Sequence, residues 1–241
     1  MGTSERRQRE RARREREIVA RAKELFLDRG YDNTTIDEIA DSLEISKGAI
    51  YLHFGSKEDL FFRVVREGLE IMLERFQEAV DREEDGLSKY GAIGIAYGRF
   101  WNDHPDYHGL LNMPVVRTAS GDPGPERKLA DEINDKIFRM SVSALSKGQE
   151  DGSVRKDLNP TLAAFIVSHS TRGVLEGIEE NRQKLKERGV EPEAVMTAAL
   201  TLYGQALGTD RSASTQYVGG WVKEKNEAPK ARSRSSDQVR K

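Results

Sequence analysis

The 241-residue sequence contains no cysteine. Disulfide bridges, thiolate zinc sites and cysteine nucleophiles are therefore excluded, and a reducing compartment suits the chain. Long apolar runs are also missing. The longest is the six-residue LAAFIV at 162–167, far short of the ~20 residues that cross a bilayer. The N-terminus is arginine-rich and polar with no apolar stretch behind it, so neither a membrane anchor nor a secretory leader is expected and the cytoplasm is the expected location. Alternating runs rich in β-branched residues are scarce, which leaves strands little support. No glycine loop follows a strand-like run, and no nucleophile stands at a recognisable spacing from a base. No catalytic residue, cofactor or metal is expected. His104 and His108, four apart with Asp103 and Asp106 beside them, are spaced as metal ligands or an acid–base group could be, but Pro105 starts or interrupts the helix that would align them.

Apolar residues make up 37% of the chain, enough for a sizeable core, and they recur at helical spacing almost throughout. The fold class is all-α. Net charge is only −2, yet residues 1–23 carry nine Arg/Lys against four Glu, a local +5. Such an arm can meet phosphates or a minor groove, or be a solvated helix start in which Glu10, Glu15 and Glu17 pair with the arginines.

The helix signals run in order. Ile18, Ala22, Leu25 and Phe26 form one stripe and Gly30 stops it, giving a first helix at 14–29. Thr34 or Thr35 caps a second at 36–43, Ser46 caps a third from 47 to about 54, and Ser56 caps a long fourth at 57–83. Further helices are expected at 88–102, 105–116, 126–147, 160–187 and 192–207. These divide the chain into an arm and helix-turn-helix domain at 1–56, a helical regulatory and dimerisation domain at 57–209, and a tail at 210–241. The tail is polar, rich in Ser, Lys and Arg, and expected to be disordered.

Two short helices joined by residues 44–46 can form a helix-turn-helix whose second helix enters a major groove. Ile39, Leu43, Ile45, Ile50 and Phe54 would fix the angle between them. Thr35, Lys47, Tyr51, His53 and Lys57 can donate to phosphates, which sets register. Lys47 and Ala49, with Tyr51 and Leu52, can meet base edges, and small Gly48 lets the backbone come close. Ser46 completes the DNA-binding set as the cap. The pattern G-Y-x-x-T-T-I-x-x-I-A-x-x-x-x-I-S-K-G-A-I-Y-L-H-F-x-S-K-E-x-L at 30–60 resembles the DNA-binding signature of the TetR family of bacterial repressors. One departure is that Leu43-Glu44 stands where the family commonly has Ala-Gly, so Glu44 would have to take up a backbone that glycine prefers.

The resemblance implies a homodimer on a double-stranded DNA operator, with an inducer held among the middle helices. The residues themselves leave two readings open for each feature. Tyr90, Ile93, Tyr97, Phe100, Trp101, Tyr107, His108 and Met113, with Ile137, Met140 and His169, could be core or could line a cavity for a small apolar or aromatic effector. Phe165, Ile166, Gly173, Val174 and Gly177, with Ala198, Ala199, Leu202, Tyr203 and Ala206, could be buried within one copy or form a symmetric four-helix interface. The expected function is a ligand-responsive repressor reading a pseudo-palindrome. The alternative is a DNA-binding regulator controlled by a protein partner.

Overall fold

The computed structural model describes residues 3–209, so the tail expected to be disordered lies outside the described residues. Within them ten helices form: α1 (Thr3–Arg29), α2 (Ile36–Ser42), α3 (Lys47–Tyr51), α4 (Lys57–Asp81), α5 (Gly86–Asp103), α6 (Pro105–Leu111), α7 (Pro114–Thr118), α8 (Pro125–Asp151), α9 (Pro160–Glu187) and α10 (Pro192–Leu207). No strand forms among the described residues, where one isolated antiparallel bridge joins Val154 to Gly208.

Short polar side chains start the helices. Thr35, not Thr34, caps α2 in a complete capping box with Glu38. Thr34 is fully buried and its hydroxyl donates to the Gly30 and Leu25 carbonyls. Ser46, Ser56, Asp85 and Asn159 cap α3, α4, α5 and α9. Three boundaries differ from expectation for local reasons. α1 begins at Thr3, with Glu5 in its first turn where a carboxylate suits the helix dipole, so the basic arm is helical. α3 ends at Tyr51, where Leu52, His53 and Phe54 N–H groups bond back to Gly48 and Ile50 and swing Phe54 into the core. The helix expected at 105–116 is two pieces, since Pro114 cannot donate to the preceding turn and opens α7 instead.

The head is built on Ile18, Ala22 and Phe26 of α1, Ile39 of α2, Ile50 of α3 and Phe54, all at most 3% exposed. Phe61 of α4 meets Phe26 and Tyr31 edge-on, at centroid distances of 5.2 and 5.0 Å. The same core continues without a gap along α4 to α5, α6 and α8. A second cluster, Trp101, Leu175, Ile178, Met196 and Leu200, joins α5 to α9 and α10. The buried carboxylate of Asp59 fastens head to body: it accepts from Gly55 N (3.2 Å) at the start of α4 and from Glu126 N (3.1 Å) at the start of α8.

Between α2 and α3 the chain turns through Glu44, whose φ of +54° makes it the non-glycine residue in the left-handed region among those described. That conformation costs an L-residue roughly 1–2 kcal/mol, partly offset in glycine by its larger backbone entropy loss. Glu44→Gly should therefore raise the free energy of unfolding by about 0.5–1 kcal/mol. Urea denaturation checks this, and an equal or lower stability contradicts the strain.

Candidate nucleic-acid interface and ligand cavity

α3 presents a short face that nothing in the protomer covers. Leu52 is 76% and Tyr51 46% exposed, while Lys47, Gly48, Ser46 and Thr35 are also on the surface and Ala49 is half-buried. A Cβ built on Gly48 would meet only the Ser46 hydroxyl, at 3.7 Å. No packing inside the protein calls for glycine there. Lys47 Nζ rests on Asp37 Oδ2 at 2.8 Å, and that hydrogen bond holds its pKa above the usual lysine value. The pair is solvent-exposed, so little opposes the lysine's transfer to another acceptor.

Two of the expected phosphate donors are placed otherwise. Lys57 turns back: its ammonium donates to the Tyr31 and Thr34 carbonyls, both at 3.0 Å, and sits 4.3 Å above the Tyr31 ring. It braces the turn ahead of α2. His53 has a side chain only 8% exposed and directs Nδ1 at Glu15 Oε2, 3.9 Å away. The arginine arm lies exposed along the first turns of α1.

From His53 a line of polar contacts leads into the body. Glu15 also faces Arg63 (3.7 Å), Arg63 pairs with Glu67 (2.9 Å), and Glu67 accepts from Tyr107 Oη at 3.1 Å. Lys23 lies over the Tyr107 ring and pairs with Asp106 at 2.7 Å. Burial opposes both charges of that pair and is the largest single influence on each, but their hydrogen bond and attraction, with Tyr107 and backbone contacts, together outweigh it, raising Lys23 and lowering Asp106. α6 approaches α4 this closely because Gly68 has no side chain: a Cβ there would overlap the Tyr107 ring at 2.9–3.0 Å.

Between the middle helices lies a cavity of about 490 Å³, within the range of small-molecule sites. Of the residues expected there, Tyr90, Ile93, Tyr97, Phe100, His108, Ile137 and His169 line it. Trp101, Tyr107, Met113 and Met140 do not. Trp101 faces the second core cluster, Tyr107 packs on Gly68, and Met113 and Met140 rest against the main core. Sequence reasoning missed the wall that α4 supplies, Phe62, Val65, Leu69, Met72 and Phe76, although their 3-4-3-4 spacing marks one helix face. It also missed Arg172, which α9 places on the cavity wall. Burial keeps His108 neutral, with a pKa pushed down to about 4, and raises the hydroxyls of Tyr90 and Tyr97.

α9 and α10 leave an apolar face uncovered. Leu162, Ile166 and Leu202 are 60–63% exposed, with Phe165, His169, Gly173, Ala198 and Ala206 also at the surface. Ala199, expected there, is buried within the protomer. Val174 and Tyr203 pack on the second cluster, Gly177 is half-buried, and Phe165 and Tyr203 also border the cavity.

Residues 18–64 match the family model described as bacterial regulatory proteins, tetR family. The chain is 39% identical over 149 residues to the HTH-type transcriptional repressor Rv1474c of Mycobacterium tuberculosis, covering 61% of this chain and 72% of that protein. It belongs to the tetR family. The HTH-type transcriptional repressor KstR2 of Mycolicibacterium smegmatis is 29% identical over 160 residues, 66% of this chain and 77% of the relative. A transcriptional regulator from Saccharomonospora viridis shares the fold, with a TM-score of 0.65, 18% identity and coverage of 83% of this chain and all of that one. The protein is thus a tetR-type DNA-binding transcriptional regulator with its helix-turn-helix at the N-terminal end, and no described helix is long and apolar enough to cross a membrane.

Gly48 gives the sharpest test of the α3 face. Gly48→Ala meets no steric obstacle and improves helix propensity, so the unfolding free energy should be unchanged or higher by up to about 1 kcal/mol. DNA binding, read by fluorescence anisotropy on selected fragments, should weaken all the same. Full retention of affinity would show that backbone approach at Gly48 is not used.

Proposed function

We propose that two copies of the chain form a repressor that binds a pseudo-palindromic operator and is released when a small molecule occupies the cavity. The observation that carries this reading is that α3 and an apolar face of α9 and α10 are both left uncovered by the protomer. Each exposed leucine or isoleucine contributes about 1.5–3 kcal/mol when buried, so joining two such faces is favourable. A four-helix contact by α9 and α10 from each copy would place two α3 helices side by side, matching major grooves about 34 Å apart. Residues 1–56 then act as the DNA-reading unit and 57–209 as the regulatory and dimerising unit.

On the DNA, Thr35 and Tyr51 would take phosphates, while Lys47, Ala49 and Leu52 would meet base edges. Lys57 and His53 would act from behind, fixing the turn and the end of α3. The cavity supports an effector, and so does the Saccharomonospora viridis regulator of the same fold, which was solved with choline. An effector releases the DNA to the extent that it prefers the half-site spacing that the operator does not fit.

Ile166→Asp places a charge in the centre of the exposed face without touching the protomer's core. Sedimentation should show a monomer where the parent sediments as a dimer, with helical content intact by circular dichroism and operator affinity lost. A dimeric, operator-binding variant would refute the assembly.

A further inference from the structure

The α9 wall of the cavity has one charged group. Phe165, Ser168 and Arg172 lie on successive turns of one helix face, and Arg172 lines the cavity together with Tyr97 and His108, close enough for its positive charge to act on both. Arg172 is half-buried, and among the described residues no carboxylate makes an ion pair with it. Glu176, one turn along α9, lies near Tyr97 but not within salt-bridge distance of Arg172. Removing an arginine from water without a carboxylate partner is costly, and the surrounding Phe76, Tyr97 and Phe100 surfaces supply no anion. The acidic side chains at the cavity, Asp131 and Asp135, stand on α8 and are exposed.

We infer that the cavity takes an apolar molecule bearing one carboxylate, with the carboxylate on Arg172 and Tyr97 and the hydrocarbon against the α4 wall. The inference rests on the effector reading above and narrows it to a chemical class. A planar guanidinium offers two parallel N–H groups to a carboxylate, and one of its neighbours, Tyr97, is a hydroxyl that can donate to the second oxygen. His108 is neutral in the folded protein, so it can share in that hydrogen bonding without adding a second positive charge. The aspartates on α8 disfavour the reverse orientation by like-charge repulsion. The length and shape of the hydrocarbon are set by the α4 face, where Val65, Leu69 and Met72 contribute flexible aliphatic surface.

The test uses the full-length protein and four probes: decanoic acid, 4-phenylbutyric acid and the methyl ester of each, titrated calorimetrically into the parent and into Arg172→Met. In the parent, at least one acid should bind roughly 10-fold or more tighter than its ester, the discrimination expected of a charge-assisted pair. Arg172→Met should keep the ester's affinity and bind acid and ester alike, and Arg172→Lys should restore part of the preference. Equal affinity for acid and ester in the parent, or an unchanged preference in Arg172→Met, overturns the role of Arg172 while leaving the cavity as an effector site. Binding of none of the four by a folded protein overturns the carboxylate class and leaves the effector reading standing.

Discussion

Helix α4 cannot move its first turn without moving its middle, and two structures are built on it at once. Leu60 and Phe61 are fully buried in the head, while Phe62, Val65, Leu69, Met72 and Phe76 form a wall of the cavity. At 1.5 Å per residue its 25 residues span about 37 Å. There is no proline within it, and Gly68 is filled by the Tyr107 ring rather than left as a hinge. Whatever displaces the cavity wall therefore acts on the head through a rigid rod, and close packing leaves little slack to absorb the shift.

The polar contacts follow the same route. Asp59 holds the starts of α4 and α8 together through two backbone N–H groups, and Arg66 and Arg127 reinforce the junction through Glu126 and Glu58. On the other side, Glu15 stands between His53 at the end of α3 and Arg63 on α4, with Glu67 and Tyr107 continuing toward α6. His108, on that same α6, faces the cavity. Half-buried charged groups of this kind contribute less to net stability than to fixing one arrangement over its neighbours. They link the end of α3 to α6 by one line of contacts.

Most of the helix pattern was legible because local chemistry writes it. Thr35, Ser46 and Ser56 cap the helices they were expected to cap, and α9 runs from Pro160 to Glu187 as read. The exposed α3 residues followed from helical periodicity, which left open whether the apolar stripe of α9 is covered within one copy. Periodicity cannot say which neighbour a given helix face meets. Trp101 and Tyr107 are aromatic residues amid others that line the cavity, yet Trp101 faces the second cluster and Tyr107 packs on Gly68. Lys57 and His53 were misplaced for a related reason: both sit at helix ends where the chain bends, and there tertiary partners, the Tyr31 carbonyl and Glu15, decide the direction. Glu44 shows the reverse case. Its left-handed backbone was implied by the resemblance, since the family commonly carries glycine there, and the structure has it at φ +54°.

The absence of cysteine makes the lever directly measurable, since a nitroxide attached through Asp41→Cys labels the exposed surface of the head once per copy. Ser141, buried on α8 at the cavity wall, can be replaced by phenylalanine to fill part of the space with a permanent occupant. If two copies pair as proposed, dipolar spectroscopy on the labelled protein should show the inter-head distance shifted by Ser141→Phe, together with a loss of operator affinity of roughly tenfold, the usual scale of coupling between sites. An unchanged distance in a folded Ser141→Phe protein that still binds its operator would contradict the coupling of cavity to head through α4.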